Sequence, residues 1–420
     1  MKPNYFIVLV VFLIFFVISL LTNVQGPLLP DLIGSFHLSL TLAGFLPTAF
    51  FIAYGVMSIP AGLLIERYDE KPVLLCSFGL AFIGSALLVV RPTYAVALFS
   101  LFTIGVGMAM LQVAINPLLR VAGGQENYAF FGVLAQLIFG SASFCSPYLY
   151  SYLVLHLGVA APEPKNALLR GLAQVVPAAL PWLAMYWIFA AVTLAMILVL
   201  SGVTIPRVVR TTDEQAGTLA THGALLKSRY VFRFFLGIFC YVGTEQGVAN
   251  WMSEFLRTYH GLDPQVAGAR AVAYFWGLMT VGCAVGLILL KLWDSRRLLC
   301  SFAGLAAVTL GLALWGPRSV AIVAFPLLGF WASIMWGVIF SLALNSGEKY
   351  QGSFSGILCT GIIGGAIIPP IIGKLGDRFG LRIGMLVIFL TLGYIFSIGL
   401  WAKPLINNAT LGRKKDRAPG

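Results

Sequence analysis

Apolar runs of about twenty residues recur from one end of this chain to the other, and they restrict its fold more than any other feature. A helix needs roughly 20 residues to cross a bilayer's hydrocarbon core. The runs fall at about 4–30, 41–65, 72–91, 94–120, 127–156, 181–204, 231–258, 266–292, 297–316, 319–345, 352–376 and 383–403. They are too long for tilted barrel strands, and a backbone in lipid has to satisfy its own hydrogen bonds. The expectation is an all-α integral membrane protein with twelve transmembrane helices. Composition excludes the soluble classes, because 59% of the 420 residues are hydrophobic and 10% are charged. The first run follows Met1 and Lys2 as a secretory leader would, but it is long and no small-residue cleavage pattern follows, so it reads as the first span.

The one long polar connection, 205–230, falls near the midpoint. It divides the chain into a six-helix bundle at 1–204, a linker at 205–230, a second six-helix bundle at 231–403 and a basic tail at 404–420. The bundles read as pseudo-symmetric: FGVLAQLIFGSASFCSP (131–147) and FSGILCTGIIGGAIIPP (354–370) both start at Phe, end at Pro and are rich in small residues between. Counting alternate loops puts roughly two-thirds of the 27 Lys and Arg on the side of the N-terminus, which places both termini in the cytoplasm of an inner (plasma) membrane. That topology also explains the net charge of +12, since the basic residues are scattered through loops with no nucleic-acid footprint. The loop at 158–181, which contains Pro162, Pro164 and Pro177, reads as surface cover on the outer side.

Polar side chains inside apolar helices carry the functional reading. In GVGMAMLQVAINP (105–117), Gln112 and Asn116 stand four residues apart on one helix face, and Gln136 faces them if the next helix folds back. Amides donate and accept at once, which suits a ligand rich in hydroxyls; the alternative is glue between helices at about 0.6–2 kcal/mol per contact. Asn23 and Gln25 precede Gly26-Pro27, a break that can open the first span. Span seven reads FCYVGTEQGVANWMSEF and puts Glu245 near mid-membrane, where a carboxylate is costly unless protonated, paired or wetted. Gln246, Asn250 and Trp251 follow it, while Glu254 reads as structural at the outer interface. Trp276 and Trp336, away from span ends, are candidate platforms for the CH face of a sugar ring.

The turn GLLIERYDEK (62–71) packs opposite charges between spans two and three, and Gly62, Glu66 and Arg67 read as a gating loop. GKLGDRFG (373–380) resembles it but falls on the outer side, as a charged helix terminus and not a second gate. Six cysteines and four histidines show no metal-ligand or catalytic spacing, so neither an enzyme nor any cofactor or metal is expected.

With these motifs the sequence resembles the major facilitator superfamily, and within it the fucose–galactose–glucose:proton symporter branch. The resemblance rests on LQVAINP (111–117), LAQ with GSASFCSP (134–147), YVGTE (241–245), and the run 351–380. It implies alternating access around a central sugar site, with Gln112 as in the hexose members. Two departures follow from the same comparison. The family's N-D-x-L-x-P pattern is here Gln25-Gly26-Pro27-Leu28-Leu29-Pro30, and the Arg of the Gly-Arg pair in span eight is replaced by Cys283 after Gly282. Gln112 and Gly26 then leave the first half without a membrane-buried acid, so coupling to a proton would rest on Glu245, or the chain is a facilitator or sodium-driven. The expected function is alternating-access transport of a neutral hexose by a monomer; the alternatives are efflux of amphipathic cations and a sugar sensor that moves nothing.

Overall fold

The computed structural model describes residues 4–124, 128–159, 166–205, 228–344 and 351–403; the expected tail and nearly all of the expected linker lie outside them. The first span is broken at Asn23–Val24 into α1 (Tyr5–Thr22) and α2 (Gln25–Phe36). It is followed by α3 (Leu40–Tyr68), α4 (Glu70–Val90), α5 (Tyr94–Gly123) and α6 (Tyr128–Leu157). A short outer helix, α7 (Ala167–Val175), precedes α8 (Leu183–Gly202). The second half comprises α9 (Arg229–His260), a π turn at Pro264–Gly268, α10 (Ala269–Leu292) and α11 (Ser295–Trp315). Span ten is split into α12 (Arg318–Ala332) and α13 (Met335–Leu344). Span eleven comprises α14 (Gln351–Thr360) and α15 (Gly364–Phe379), and span twelve α16 (Leu381–Gly384) and α17 (Val387–Trp401).

Ten of these spans are long and apolar enough to cross a membrane by length and composition. The helices α6 and α9, of 30 and 32 residues, pack in the same bundle, consistent with twelve crossings. Helix starts follow from capping, in which a short polar side chain takes an N–H left free in the first turn. Asn4, Ser39, Thr93 and Asn166 accept from Ile7, Leu42, Val96 and Leu169 respectively, and Asp294 opens α11 in the same way. At the end of α9, Gly261 adopts a φ of 61° and its N–H returns to Arg257, which stops the helix.

Within the first half α5 packs on both α3 and α4, and α8 on α4, around Phe50, Phe78 and Phe189; in the second, α10, α11, α12 and α17 enclose Phe275 and Phe325. The halves meet along α3 with α15, α6 with α10, and α2 with α9. The segments 131–147 and 354–370, similar in sequence, thus lie in two of the spans that reach across to the other half. Association in lipid has no hydrophobic drive, so these seams are built on small residues that allow backbones to approach. A Cβ on Gly26 would lie 2.2 Å from the Ala249 carbonyl oxygen, and one on Gly44 would lie 2.6 Å from Pro370. These approaches sit toward the end of the bundle that carries the turns after Phe36 and Phe379, here called the far end. Toward the end that carries Asn4 and Lys403, the terminal end, Asn116 and Gln136 are exposed. The halves therefore converge at the far end, and the cleft between them opens toward the terminal end.

Gly26 and Gly34 share α2 but differ in surroundings, since a Cβ at Gly34 meets nothing within 4 Å. Gly26→Ala should lower the thermal midpoint of the purified protein, overpacking of this kind costing about 1–3 kcal/mol. Gly34→Ala should leave the midpoint unchanged or raise it, because Ala is the better helix former. Equal shifts for the two would contradict the close approach of α2 and α9.

Candidate functional site

The break in span one gives its two amides different fates. Asn23 is buried and donates from Nδ2 to Ser143 Oγ at 2.8 Å and to Ser19 Oγ at 3.3 Å. Ser19 in turn donates to the Phe139 carbonyl at 2.6 Å, so Asn23 belongs to a network that joins α1 to α6. Gln25, two residues on, is equally buried, yet neither its Oε1 nor its Nε2 has a hydrogen-bond partner. A buried amide left unpaired costs about 1–3 kcal/mol for each group. Its neighbour Gly26 abuts Ala249, within the part of α9 that carries Gln246 and Asn250.

On α9 the polar residues form a string along the helix. Asn250 Nδ2 donates to Gln246 Oε1 at 3.2 Å, and Gln246 Nε2 donates to Glu245 Oε1 at 3.0 Å. The Tyr241 hydroxyl donates to Glu245 Oε2. Glu245 is half-buried with both oxygens engaged by neutral donors, which lowers the cost of a carboxylate at this depth. The Tyr241 ring lies 6.0 Å from that of Trp336, which stacks in turn on Phe340 at 5.9 Å. Trp336 is thereby brought beside Glu245 by way of Tyr241.

Trp276 is buried on α10 with its ring edge-on to Phe275 at 5.1 Å, and its indole N–H has no partner. One turn earlier on the same helix, Val272 approaches the Cβ position of Gly26 at 3.3 Å. The unpaired N–H of Trp276 and the unpaired amide of Gln25 are thus carried by α10 and α2, which meet between the two halves. Cys283, where the family resemblance led us to expect Arg, hydrogen-bonds from Sγ to the Ser333 carbonyl at 3.4 Å.

The amides of the first half stand on the open side of this region. Gln112 is half-buried and Asn116 exposed, with Asn116 Nδ2 donating to the Gln112 carbonyl at 3.4 Å. Gln136 is exposed on α6, one turn before Gly140, whose Cβ position meets Thr280 of α10. It therefore lies on the face of α6 that turns toward the second half.

Trp251 departs from the expectation. It is fully buried and gives its N–H to the Pro369 carbonyl at 3.1 Å, so it packs α9 on α15 and presents no ring face to a ligand. In the expected gating loop, the Arg67 guanidinium lies 5.3 Å over the Tyr68 ring and a Cβ on Gly62 would meet open space. The Glu66 side chain lies outside the described residues.

Sequence reasoning missed Asp31. The first half does hold an acid within its spans: the Asp31 carboxylate on α2 accepts from the Tyr150 hydroxyl and from Gln265 Nε2, the latter at 3.0 Å. Gln265 sits in the π turn of the second half, so this contact crosses between halves. Asp31 stands next to Pro30 toward the end of the first span, and its partners are 119 and 234 residues away.

Comparison with known proteins bears on the same architecture. The chain is 31% identical over 397 residues to a protein of Brucella abortus named glucose/galactose transporter, covering 92% of each. It is 27% identical over 389 residues to the L-fucose-proton symporter of Escherichia coli K12, covering 87% of this chain and 86% of that one. Among solved structures, the Escherichia coli fucose:proton symporter superposes with a TM-score of 0.67 at 22% identity, over 96% of this chain and 100% of that one. A bacterial homologue of the human lysosomal transporter Spinster, inward-facing and unoccupied, reaches 0.72 at 16% identity, over 95% and 98%. The profile of the Major Facilitator Superfamily matches residues 11–362, and with the relative at 31% identity it establishes that the chain belongs to that superfamily.

Proposed function

We propose that this chain carries a neutral hexose across the membrane by alternating access, binding it between the halves. The observation that carries the reading is the pair of unpaired buried groups, the Gln25 amide and the Trp276 N–H, on helices that meet between the halves. Buried polar groups are normally partnered, and a ligand hydroxyl supplies both a donor and an acceptor. Gln112, Asn116 and Gln136 line the approach, and Gln246, Asn250 and Trp336 extend the polar and aromatic surface. Relatives named as glucose/galactose transporter and L-fucose-proton symporter support the substrate class.

In this reading 1–204 and 231–403 are the moving bodies of a monomer, the turn at Gly62, Glu66 and Arg67 gates the terminal end, and that end is cytoplasmic. The protein is multi-pass in the inner membrane. Proton coupling, where present, runs through Glu245: protonation from outside and release inside would accompany each sugar. A proton is favoured over sodium as the coupling ion because one relative is named as a proton symporter. Efflux of amphipathic cations finds less support, because the relatives are named as sugar carriers. Transport, as opposed to sensing, is tested by uptake of radiolabelled hexose into proteoliposomes with and without an imposed proton gradient; absence of uptake would overturn the reading.

Two variants give sharper outcomes. Gln25→Met keeps the length of the side chain and removes two unpaired polar atoms. It should leave the thermal midpoint unchanged or raised and weaken hexose binding at least tenfold, read by quenching of tryptophan fluorescence. Asn23→Leu, which breaks the serine network, should instead lower the midpoint. Glu245→Gln should abolish accumulation driven by a proton gradient while sparing sugar exchange at equilibrium; unchanged accumulation would remove Glu245 from coupling.

A further inference from the structure

At the far end each half extends a carboxylate to the other. From the second half, Asp377 accepts from the Leu40 N–H at 2.8 Å, the Thr41 N–H at 2.8 Å and the Thr41 hydroxyl at 2.5 Å. These are donors of the first turn of α3, which no helix carbonyl can satisfy; Ser39 of the same half takes only the next one, Leu42, at 3.3 Å. The backbone is pressed into register beside this contact, since a Cβ on Gly373 would lie 2.2 Å from the Leu40 carbonyl oxygen. From the first half, Asp31 accepts from Gln265 of the second at 3.0 Å while held in place by the buried Tyr150.

The turn that carries Asp377 has a counterpart at the terminal end. In GKLGDRFG and GLLIERYD, Asp377 matches Glu66, and Arg378 lies over Phe379 at 5.5 Å as Arg67 lies over Tyr68 at 5.3 Å. Gly380 and Asp69, closing the two turns, both have positive φ, 88° and 64°. The run 373–380 does end a helix, as expected, and its likeness to the turn at the terminal end bears on what that helix end does.

We propose that Asp377 and Asp31 are the two bolts of the far gate, positioning residues that set how much of the time this end is closed. Opening separates the halves and takes Asp377 away from Leu40 and Thr41, and Gln265 away from Asp31. A carboxylate on a helix N-terminus and a carboxylate on an amide are both charge-assisted contacts, so each stabilises the closed arrangement alone. Neither group needs to touch the sugar. The proposal rests on the alternating-access reading, but its test does not need a substrate.

The test reads exposure of a cysteine at Val272, which is fully buried against Gly26 in the closed arrangement. In Val272→Cys protein in oriented vesicles, the rate of alkylation by a membrane-impermeant maleimide added on the far side reports opening, with Val272 protein as the blank. Asp377→Asn and Asp31→Asn should each raise the rate by roughly three- to tenfold, a tenfold change being about 1.4 kcal/mol. Thr41→Val should add little once Asp377 is changed, and Gln265→Leu little once Asp31 is changed; across the two pairs the effects should multiply. Thermal midpoints identify any variant that has merely lost its fold, and Asp377→Glu should recover part of the native rate. Rates within twofold of native in folded Asp377→Asn and Asp31→Asn protein would overturn the latch. Absence of hexose uptake by the native protein would instead overturn the transport reading and leave the alkylation result standing.

Discussion

Hydrocarbon offers no hydrogen bonds, and the arrangement of polar groups in this bundle follows from that constraint. Ser77, Ser85 and Thr193 return their hydroxyls to carbonyls one turn earlier, at 2.6, 2.8 and 2.7 Å. Thr244 and Thr391 pair across α9 and α17 at 2.6 Å, and Ser100 reaches the Gly84 carbonyl between α5 and α4 at 2.6 Å. Against this background the few buried atoms without a partner among the described residues stand out. His260 and Arg382 hold theirs near the far end, and Ser253 sits against Gly268. Gln25 and Trp276 alone among them lie where α2 and α10 meet between the halves. Their lack of partners is costly, and in the reading proposed above a sugar hydroxyl would remove that cost; an amide and an indole N–H suit hydroxyls and not charge.

The same constraint shapes the seams between halves. A carrier that alternates needs contacts strong enough to close one end and weak enough to release it. Glycine seams meet the first requirement by letting backbones touch, as at Gly26 on Ala249 and Gly373 on Leu40. They meet the second because little side-chain interlock has to be undone. Among the described residues, hydrogen bonds that cross between the halves include Asp377 on α3, Gln265 on Asp31, and Thr48 on the Ala366 carbonyl at 2.5 Å. The first two leave donors that water can satisfy when the end opens.

How much of this was legible in the sequence depends on the range of the interaction. Span positions were legible, because the need for about 20 apolar residues is local: 94–120 against Tyr94–Gly123, for example, and 231–258 against Arg229–His260. The break in span one was announced by Asn23, Gln25 and Gly26-Pro27, and it falls three residues before the proline that suggested it. The pairing of Gln246 with Asn250 was legible because four-residue spacing places side chains on one helix face, while the contacts of Tyr241 and Gln246 with Glu245 were not read from it. What escaped was long-range. Nothing in the neighbourhood of Trp251 indicates that Pro369 will take its N–H, and nothing around Asp31 indicates Gln265. Gln25 and Asn23 looked alike in sequence, and only the presence of Ser19 and Ser143 beside one of them separates structural glue from a free amide.

The most informative departure from the pattern that the family resemblance led us to expect is Gly26, which stands where that pattern has an acid. With α2 pressed to the Ala249 carbonyl there is no volume for any side chain at 26, so this packing and an acid at that position exclude each other. An Asp there would hold the halves apart by its bulk and would bring a charge against a carbonyl oxygen, two penalties in the same place. The chain instead holds its carboxylates one step removed: Asp31 further along α2 toward the far end, and Glu245 across the seam on α9. Both are satisfied by neutral donors, Tyr150 and Gln265 for one, Tyr241 and Gln246 for the other. An acid so placed can change its protonation without dismantling the glycine seam, because a tyrosine hydroxyl or an amide can serve the protonated form as well as the ionised one. Separating Glu245 from the point of closest approach thus lets the backbone seam at Gly26 and the protonation of that acid vary independently, which an acid at position 26 would have forced together.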